Sequence, residues 1–283
     1  MSDLDKVKQL RKSTGAGFKD CNNSLKESNG DIEKAIEILR VKGISKASKK
    51  MLRNANEGVV ALYNSDDKTS IIEINCETDF VAKNEDFLNF VEEINKLNNQ
   101  ALSNIDNLRK MQMSNSKTVD ENIVDLISKI GEKITLGRSK SFTNKESKSF
   151  FYQHSVIKKN ISKLAVVVSI KSDSYDESVQ DFGKKLSMHI AATNPIAVSK
   201  NDISQDILDK EKNLIFEEMK SSGKPTEIIE KITKGKINKF INDNSLLSQV
   251  WVMDDDKKVQ DIINDLNVKN LVIDDFLRIK IGE

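Results

Sequence analysis

The sequence predicts an α+β protein, and three features of the chain support this fold class. Three short amphipathic helix patterns occupy residues 4–43. Two successions of strand, strand and helix follow, over residues 58–97 and 150–190. They suggest two similar subdomains with antiparallel sheets rather than parallel βαβ units. A long helical hairpin pattern is then inserted between Ser204 and Asn242.

The chain has 283 residues, which is enough for two or three domains. Its 45 basic and 44 acidic residues give a net charge of +1, so no overall field would draw it onto nucleic-acid phosphates. No apolar run approaches the roughly 20 residues of a membrane span, and the start, Met1-Ser-Asp-Leu-Asp5, lacks the pattern of a signal peptide. Cys21 and Cys76 form no metal-binding or redox motif. We therefore expect a cytoplasmic protein with reduced, buried cysteines and no direct contact with nucleic acid or membrane.

Residues 1–54 are predicted to form a small three-helix domain. The first helix stops at Gly15-Ala-Gly17, the second ends at Asn29-Gly30, and Asp31 caps the third, which Gly43 should end. The apolar positions of the three helices are Leu4, Val7 and Leu10; Phe18, Cys21 and Leu25; and Ile32, Ala35, Ile36 and Leu39. This arrangement, with a glycine-containing loop between the first two helices, resembles ubiquitin-associated domains.

A basic stretch from Ser45 to Asn56 leads out of this domain. Two interpretations are open, a solvated linker helix and a patch that binds RNA. Its charges are Lys46, Lys49, Lys50 and Arg53. No aromatic residue lies between them to stack on bases, which favours the linker helix.

The first half of the core, residues 55–140, is predicted to carry the chain's most unusual segment. A hairpin of Gly58–Leu62 and Ser70–Cys76 runs into a strand-to-helix corner, and a helix follows from Phe87. Thr78, Asp79 and Asn84 are residue types that cap helix N-termini. Phe80 lies between them, either packed under the corner as a core residue or offered to another molecule.

The second half of the core is predicted to span residues 141–283. An alternating strand from Phe150 to Val156, a buried strand from Leu164 to Ile170 and a covering helix from Val179 to Ile190 repeat the first half's layout. The hairpin that follows, turning at Ser221–Pro225, could pair with a second copy, dock on a partner or pack on its own core. The polar, irregular segment 98–118 suggests no chemistry.

No enzyme active site is predicted. His154 and His189 are the only histidines, and neither accompanies a nucleophile, so both are expected to be structural. The chain has no Gly-x-x-x-x-Gly-Lys-Ser/Thr loop, and no strand precedes Gly15-Ala-Gly17. Asp254-Asp-Asp256 is expected to be a turn of solvated charges rather than a cation site. We therefore expect a binding protein without a cofactor or metal of its own.

One family matches the order of motifs along nearly the whole chain. Asn75-Cys-Glu-Thr-Asp-Phe-Val-Ala-Lys-Asn84 resembles the Thr-Asp-Phe motif of elongation factor Ts, the guanine-nucleotide exchange factor of bacterial-type translation. Further segments resemble the same family: Leu10-Arg-Lys-Ser-Thr-Gly-Ala-Gly17, Asn29-Gly-Asp-Ile-Glu-Lys-Ala-Ile36, Lys129-Ile-Gly-Glu-Lys-Ile-Thr-Leu136 and Phe276-Leu-Arg-Ile-Lys-Ile-Gly-Glu283. The sequence departs from the usual pattern of this family at four places. Asn22-Asn23 stand where members usually have two lysines, Gly137-Arg138 replace paired arginines, and Trp251 replaces a phenylalanine. The helical tail of longer members is absent after Glu283.

The resemblance implies a partner and a mechanism. The partner is elongation factor Tu with GDP bound, and the assisted step is GDP release followed by GTP loading. Phe80 would enter between partner helices and disturb the partner's Mg²⁺ and phosphate site. Asp79 would meet polar groups of the partner, while Thr78 and Val81 hold the loop. Secondary contacts are expected at Phe18, Lys19 and His154.

A different class of function stays open beside this one. Ubiquitin-associated-like helices also occur in adaptors and in proteins that bind nascent chains, so the chain could be a scaffold without exchange activity. Adaptors do not need the Thr-Asp-Phe corner, and a pull-down with elongation factor Tu separates the two hypotheses.

Overall fold

A computed structural model describes residues 3–14, 16–220 and 225–283, apart from the side chains at positions 12, 44–46, 48, 49 and 226. Several positions of the sequence analysis lie outside the described residues. They are Gly15, residues 221–224 of the predicted turn, Met1 and Ser2, and the side chains of Lys46 and Lys49.

The described residues form a mixture of α-helix and antiparallel sheet, which confirms the α+β class. The helices are α1 (Asp3–Thr14), α2 (Phe18–Glu27), α3 (Ile32–Lys50), α4 (Asp79–Ala82), α5 (Glu85–Gln100), α6 (Ile105–Lys110), α7 (Val119–Ile130), α8 (Glu177–Thr193), α9 (Gln205–Lys220), α10 (Thr226–Asn244) and α11 (Val259–Asp265). The strands are β1 (Glu57–Asn64), β2 (Lys68–Cys76), β3 (Thr135–Thr143), β4 (Lys148–Lys158), β5 (Ile161–Lys171), β6 (Val250–Trp251), β7 (Asp254–Lys258) and β8 (Val272–Lys280). None of these helices is long and apolar enough to cross a membrane.

The chain divides into two compact units. Unit 1 contains the described residues up to Phe142, together with Gln153–Ala165 and Ile279–Glu283. Unit 2 contains Thr143–Tyr152 and Val166–Arg278. The candidate site and the N-terminal helices both belong to unit 1.

The three N-terminal helices share a small apolar core within unit 1. That core consists of Val7, Leu10, Cys21, Leu25, Ala35 and Leu39. Asn29 and Gly30 have positive φ angles of 53° and 82° after α2, and the Asp31 carboxylate accepts a hydrogen bond from Lys34 N at 3.1 Å. The predicted helix ends around Asn29 and Asp31 are therefore confirmed.

Gly43 does not end α3, and this prediction was wrong. Helix α3 continues through Gly43 to Lys50 and packs against α7. A Cβ atom at position 43 would lie 2.6 Å from the Ser128 hydroxyl oxygen. The glycine therefore permits a close approach of two helices rather than a chain reversal.

Strands β1, β2 and β3 of unit 1 are hydrogen-bonded in the order β3-β2-β1. β1 and β2 form the predicted hairpin, with Val59 opposite Ile74 and Leu62 opposite Ile71. Helix α5 packs across both strands, and its buried face includes Phe87 and Val91. Because β2 and α5 share one core, the corner between them has little freedom.

A buried carboxylate joins β2 to β3. Glu73 on β2 lies 2.8 Å from Arg138 Nε on β3 and also accepts a hydrogen bond from Asn75. Burial alone would raise the pKa of Glu73, but these donors outweigh it and hold the pKa below its ordinary value. A Cβ at Gly137 would lie 2.8 Å from the carboxylate, so glycine leaves the room that this ion pair needs.

Segment 98–118 is less irregular than its composition suggested. It contains α6, whose first turn is capped by Asn104 accepting from Asn107 N at 2.9 Å, and α6 buries Leu108. One buried leucine in six residues leaves no periodic pattern to detect, which is why the sequence did not indicate this helix.

Unit 2 contains the predicted helical hairpin, formed by α9 and α10 packed against each other. Ile215 and Ile229 are buried in this unit, whereas Leu214 is 67% exposed.

The prediction of a turn at Asp254–Asp256 was wrong, because these aspartates begin β7. The reversal lies at Val252 and Met253, and Trp251 pairs with Asp254 across it. Among the described residues, no three His, Cys, Asp or Glu side chains are grouped so that they could hold a metal ion.

Two helical glycines give a matched test of packing in unit 2. In α8, a Cβ at Gly183 would lie 2.4 Å from the ring of Phe150, whereas a Cβ at Gly235 in α10 would meet nothing within 4 Å. We expect Gly183→Ala to lower the free energy of unfolding by about 1–3 kcal/mol through overpacking. Gly235→Ala should be neutral or stabilising by up to about 1 kcal/mol, because alanine is the better helix former. Chemical denaturation of both variants measures this, and equal effects would contradict the placement of α8 on Phe150.

Candidate functional site

The candidate site is the corner between β2 and α5 in unit 1. After Cys76 the chain passes through Glu77 and Thr78, forms the single helical turn α4, and enters α5 at Glu85. Phe80 is the second residue of α4, and its side chain is 82% exposed. The structure therefore excludes the interpretation of Phe80 as a core residue.

Two capping residues define the ends of the corner, as the sequence predicted. Thr78 is the N-cap of α4, and its hydroxyl oxygen accepts from Val81 N at 3.4 Å. Asn84 is the N-cap of α5 and accepts from Phe87 N at 3.3 Å. The capping role predicted for Asp79 was wrong. Because Thr78 occupies the N-cap, Asp79 becomes the first helical residue and its carboxylate pairs with Lys83 Nζ at 3.1 Å.

The residues that follow Phe80 determine its direction. Val81 and Ala82 are buried in the apolar core of unit 1, together with Phe87. Successive residues of an α-helix point about 100° apart, so a turn that directs Val81 and Ala82 into the core directs Phe80 outward. The ring is exposed because its neighbours are anchored.

A second segment, Glu132-Lys133, joins this corner by hydrogen bonds that the sequence analysis did not predict. The Glu132 carboxylate accepts from Thr78 N at 3.0 Å and from the Thr78 hydroxyl at 2.8 Å. In return, the Glu77 carboxylate accepts from Lys133 N at 2.6 Å. The contacts join residues 54 and 56 positions apart, and no periodic pattern indicates such a pairing.

Cys76 lies beneath the same corner. Its side chain is fully buried, and the thiol donates to Thr78 O at 3.2 Å. Burial raises the pKa of Cys76 to about 12, and the nearby Glu132 carboxylate acts in the same direction. The thiol is therefore protonated at neutral pH and serves as packing. Cys21 is also a buried, free cysteine, as expected.

Comparison with known proteins identifies the family. A family model described as "Elongation factor TS" matches residues 77–283, beginning at the corner itself. Elongation factor Ts of Rhizobium meliloti (strain 1021) is 40% identical over 263 residues, which is 92% of this chain and 85% of that protein. The chain belongs to the elongation factor Ts family.

Relatives from other bacteria extend the same match. Elongation factor Ts of Hydrogenovibrio crunogenus (strain DSM 25203 / XCL-2) is 39% identical over 98% of this chain and 90% of its own length. The protein of Gluconobacter oxydans (strain 621H) is 34% identical over 98% of this chain and 91% of its own length. Membership of the elongation factor Ts family supports a role in translation elongation.

The structure separates the expected contact residues of this family member into two kinds. Phe80 is exposed and Asp79 is partly exposed, so both can meet a partner. Val81 is buried, and the Thr78 hydroxyl is hydrogen-bonded to Glu132. The three residues expected to make secondary contacts, namely Phe18 at the start of α2, Lys19 beside it and His154 on β4, are exposed within unit 1.

Of the two histidines that the sequence predicted to be structural, His154 is exposed and His189 is buried. It is fully buried at the end of α8 in unit 2 and stacks on Trp251 with ring centroids 5.1 Å apart. Val252 N donates to His189 Nδ1 at 3.3 Å, so the ring proton must be on Nε2, which lies 3.0 Å from Gln249 Oε1. Burial lowers the pKa of His189, and the hydrogen bond to Gln249 opposes this only in part.

The buried His189 predicts how stability depends on pH. Its pKa is lower in the folded chain than in the unfolded chain, where it is about 6.5, so the unfolded chain takes up the proton first as pH falls. The stabilisation by neutral His189 is therefore fully present above pH ~6.5 and is lost below it. We expect the free energy of unfolding of the wild type to decrease more than that of His189→Gln between pH 7.5 and 5.5. Parallel urea titrations measure both, and identical pH slopes would show that folding does not change the pKa of His189.

Proposed function

We propose that this protein binds elongation factor Tu in its GDP-bound form, promotes GDP release by disturbing the partner's Mg²⁺ and phosphate site, and so allows GTP to load. The protein has no active site of its own in this proposal. The observation that supports it most is the Phe80 ring, 82% exposed on a turn whose neighbouring residues are anchored in the core.

An exposed phenylalanine on a fixed turn is suited to binding. Burying such a ring in a partner contributes roughly 1.5–3 kcal/mol. Since the turn is already ordered, little conformational entropy is lost when the ring enters a pocket. Phe80 therefore has the properties of an interface hot spot.

Exchange requires that the protein and the nucleotide weaken each other's binding. This coupling is reciprocal, so a factor that weakens GDP binding is itself displaced when GTP binds. Mg²⁺ is a sensitive target, because it requires nearly octahedral coordination at roughly 2.0–2.1 Å. A ring inserted between two partner helices would move the magnesium ligands by enough to disturb the octahedral coordination.

The other residues of the proposal have graded roles. Asp79 contacts polar groups of the partner beside the ring, while Thr78 and Val81 keep the turn in place. Phe18, Lys19 and His154 make secondary contacts. We also propose three domains. Residues 1–54 form a ubiquitin-associated-like module, residues 55–140 form the first half of the core and carry the corner, and residues 141–283 form the second half with the helical hairpin. We propose that the protein acts in the cytoplasm.

Replacement of Phe80 tests the proposal. We expect Phe80→Ala to lower the efficiency of GDP release from elongation factor Tu at least tenfold, because truncating a hot spot costs roughly 2 kcal/mol or more and about 1.4 kcal/mol is tenfold. The melting temperature should stay within about 1 °C, because Phe80 is 82% exposed and surface substitutions have small effects on stability. Displacement of a fluorescent GDP analogue measures the efficiency.

Phe87→Ala is the matched control for the same measurement. Phe87 is fully buried seven positions further along, so its truncation should lower the free energy of unfolding by about 3–5 kcal/mol. An unchanged rate of GDP release for Phe80→Ala would exclude the proposed mechanism. Failure of the wild-type protein to bind elongation factor Tu in a pull-down would favour a scaffold function instead.

A further inference from the structure

We propose that Glu132 is a positioning residue for exchange: its carboxylate fixes Thr78, and through Thr78 the turn that presents Phe80. Glu132 need not touch the partner for this role. The inference rests on the proposed function and adds to it a residue that acts through another.

Glu132 orients Thr78, the N-cap residue of α4, through two hydrogen bonds. A threonine hydroxyl has one proton and two lone pairs. The Thr78 hydroxyl donates its proton to Glu132 Oε1 at 2.8 Å, which leaves a lone pair to accept from Val81 N. The second carboxylate oxygen, Oε2, accepts from Thr78 N at 3.0 Å. One carboxylate therefore orients both the main chain and the hydroxyl at the start of the turn.

The connection between the two segments is reciprocal. Glu77, next to Thr78, accepts from Lys133 N, next to Glu132, at 2.6 Å. Arg53 supports the same pairing: its guanidinium lies 3.3 Å from the Glu77 carboxylate, and its carbonyl oxygen accepts from Lys133 Nζ at 2.9 Å. Two adjacent residues of each segment thus bind two adjacent residues of the other.

Glu132 itself has a fixed position. Gly131 ends α7 in the left-handed conformation, with φ of 93°, and turns the chain toward the corner. Ile127 before it and Ile134 after it are buried in the core of unit 1. Lys129 Nζ also pairs with Asp86 in the first turn of α5 at 2.7 Å. The segment is therefore anchored on both sides of the carboxylate.

Loss of the carboxylate should change affinity rather than the final rate. When the binding-competent conformation is only a fraction of the population, the apparent dissociation constant rises by the inverse of that fraction. We expect Glu132→Ala to raise the concentration of protein that gives half-maximal GDP release at least fivefold, with less than a twofold change in the maximal rate. Glu132→Gln keeps one of the two acceptor oxygens, so its effect should be intermediate.

A double-mutant cycle with Phe80 distinguishes positioning from general structural support. If Glu132 acts through Phe80, Glu132→Ala should lower the exchange efficiency by less than twofold when Phe80→Ala is already present. Efficiency here is the maximal rate of GDP release divided by the half-maximal concentration. Effects that multiply in the double variant would overturn the inference.

The chain provides a matched control at the other end of α7. Glu121 Oε2 accepts from Thr118 N at 3.0 Å and from the Thr118 hydroxyl at 3.1 Å, so a glutamate there binds the same two groups of another threonine. Glu121→Ala should leave the exchange efficiency within twofold of the wild type. A loss equal to that of Glu132→Ala would show a general effect of stability and would overturn the positioning role.

Two outcomes separate this inference from the function on which it rests. Full efficiency in Phe80→Ala would remove the proposed function and this inference together. A tenfold loss in Phe80→Ala with full efficiency in Glu132→Ala would overturn the inference alone. If Glu132→Ala does not fold, Thr78→Val removes the hydroxyl that donates to Glu132. This variant should also raise the concentration that gives half-maximal GDP release. No rise would overturn the inference.

Discussion

The anchoring of Val81 and Ala82 in the core of unit 1 is the constraint on which the proposed site depends. A single helical turn that buries two consecutive residues must direct the residue before them elsewhere, and that residue is Phe80. The exposure of the ring is thus a consequence of packing below it. The capping bonds of Thr78 and Asn84 and the carboxylate of Glu132 add to this constraint without changing its direction.

In the proposed function, this arrangement lets binding free energy promote GDP release from a partner. The work of disturbing a metal site must come from binding free energy that is realised only when the metal is displaced. A flexible loop would lose conformational entropy on binding and would adapt to the partner. An ordered turn with an apolar ring is less able to adapt, so in the proposed mechanism the partner's helices would move instead. The packing of Val81 and Ala82 in the core of unit 1 would keep Phe80 in place during that movement.

Much of the fold follows from patterns that the sequence displays. The period of two in β1 and β2, the apolar face of α5, the hairpin of α9 and α10, and the structural role of His189 were all predicted. Membership of the elongation factor Ts family was indicated by the motif around Phe80 and confirmed by comparison. The exposure of the Phe80 side chain could not be decided from the sequence, because an apolar residue beside a strand belongs more often to the core.

The features that were missed depend on contacts between distant segments. Gly43 has the local signature of a helix end, but in the structure it accommodates Ser128 of another helix. The run Asp254–Asp256 has a composition typical of a turn. In the structure, however, Asp254 pairs with Trp251, and the chain reverses between these two residues. Glu132 belongs to a family motif, but its bond to Thr78 crosses 54 positions and leaves no local trace. In each case a tertiary contact decides what local propensity leaves open.

In the proposed mechanism, Phe80 acts on the magnesium site of elongation factor Tu. The most direct test compares GDP release promoted by the wild type and by Phe80→Ala over a series of Mg²⁺ concentrations that ends in excess chelator. If Phe80 works by disturbing magnesium coordination, the ratio of the two rates should be large at millimolar Mg²⁺ and should fall toward one when the metal is removed. A ratio that stays constant across the series would show that Phe80 does not act through magnesium.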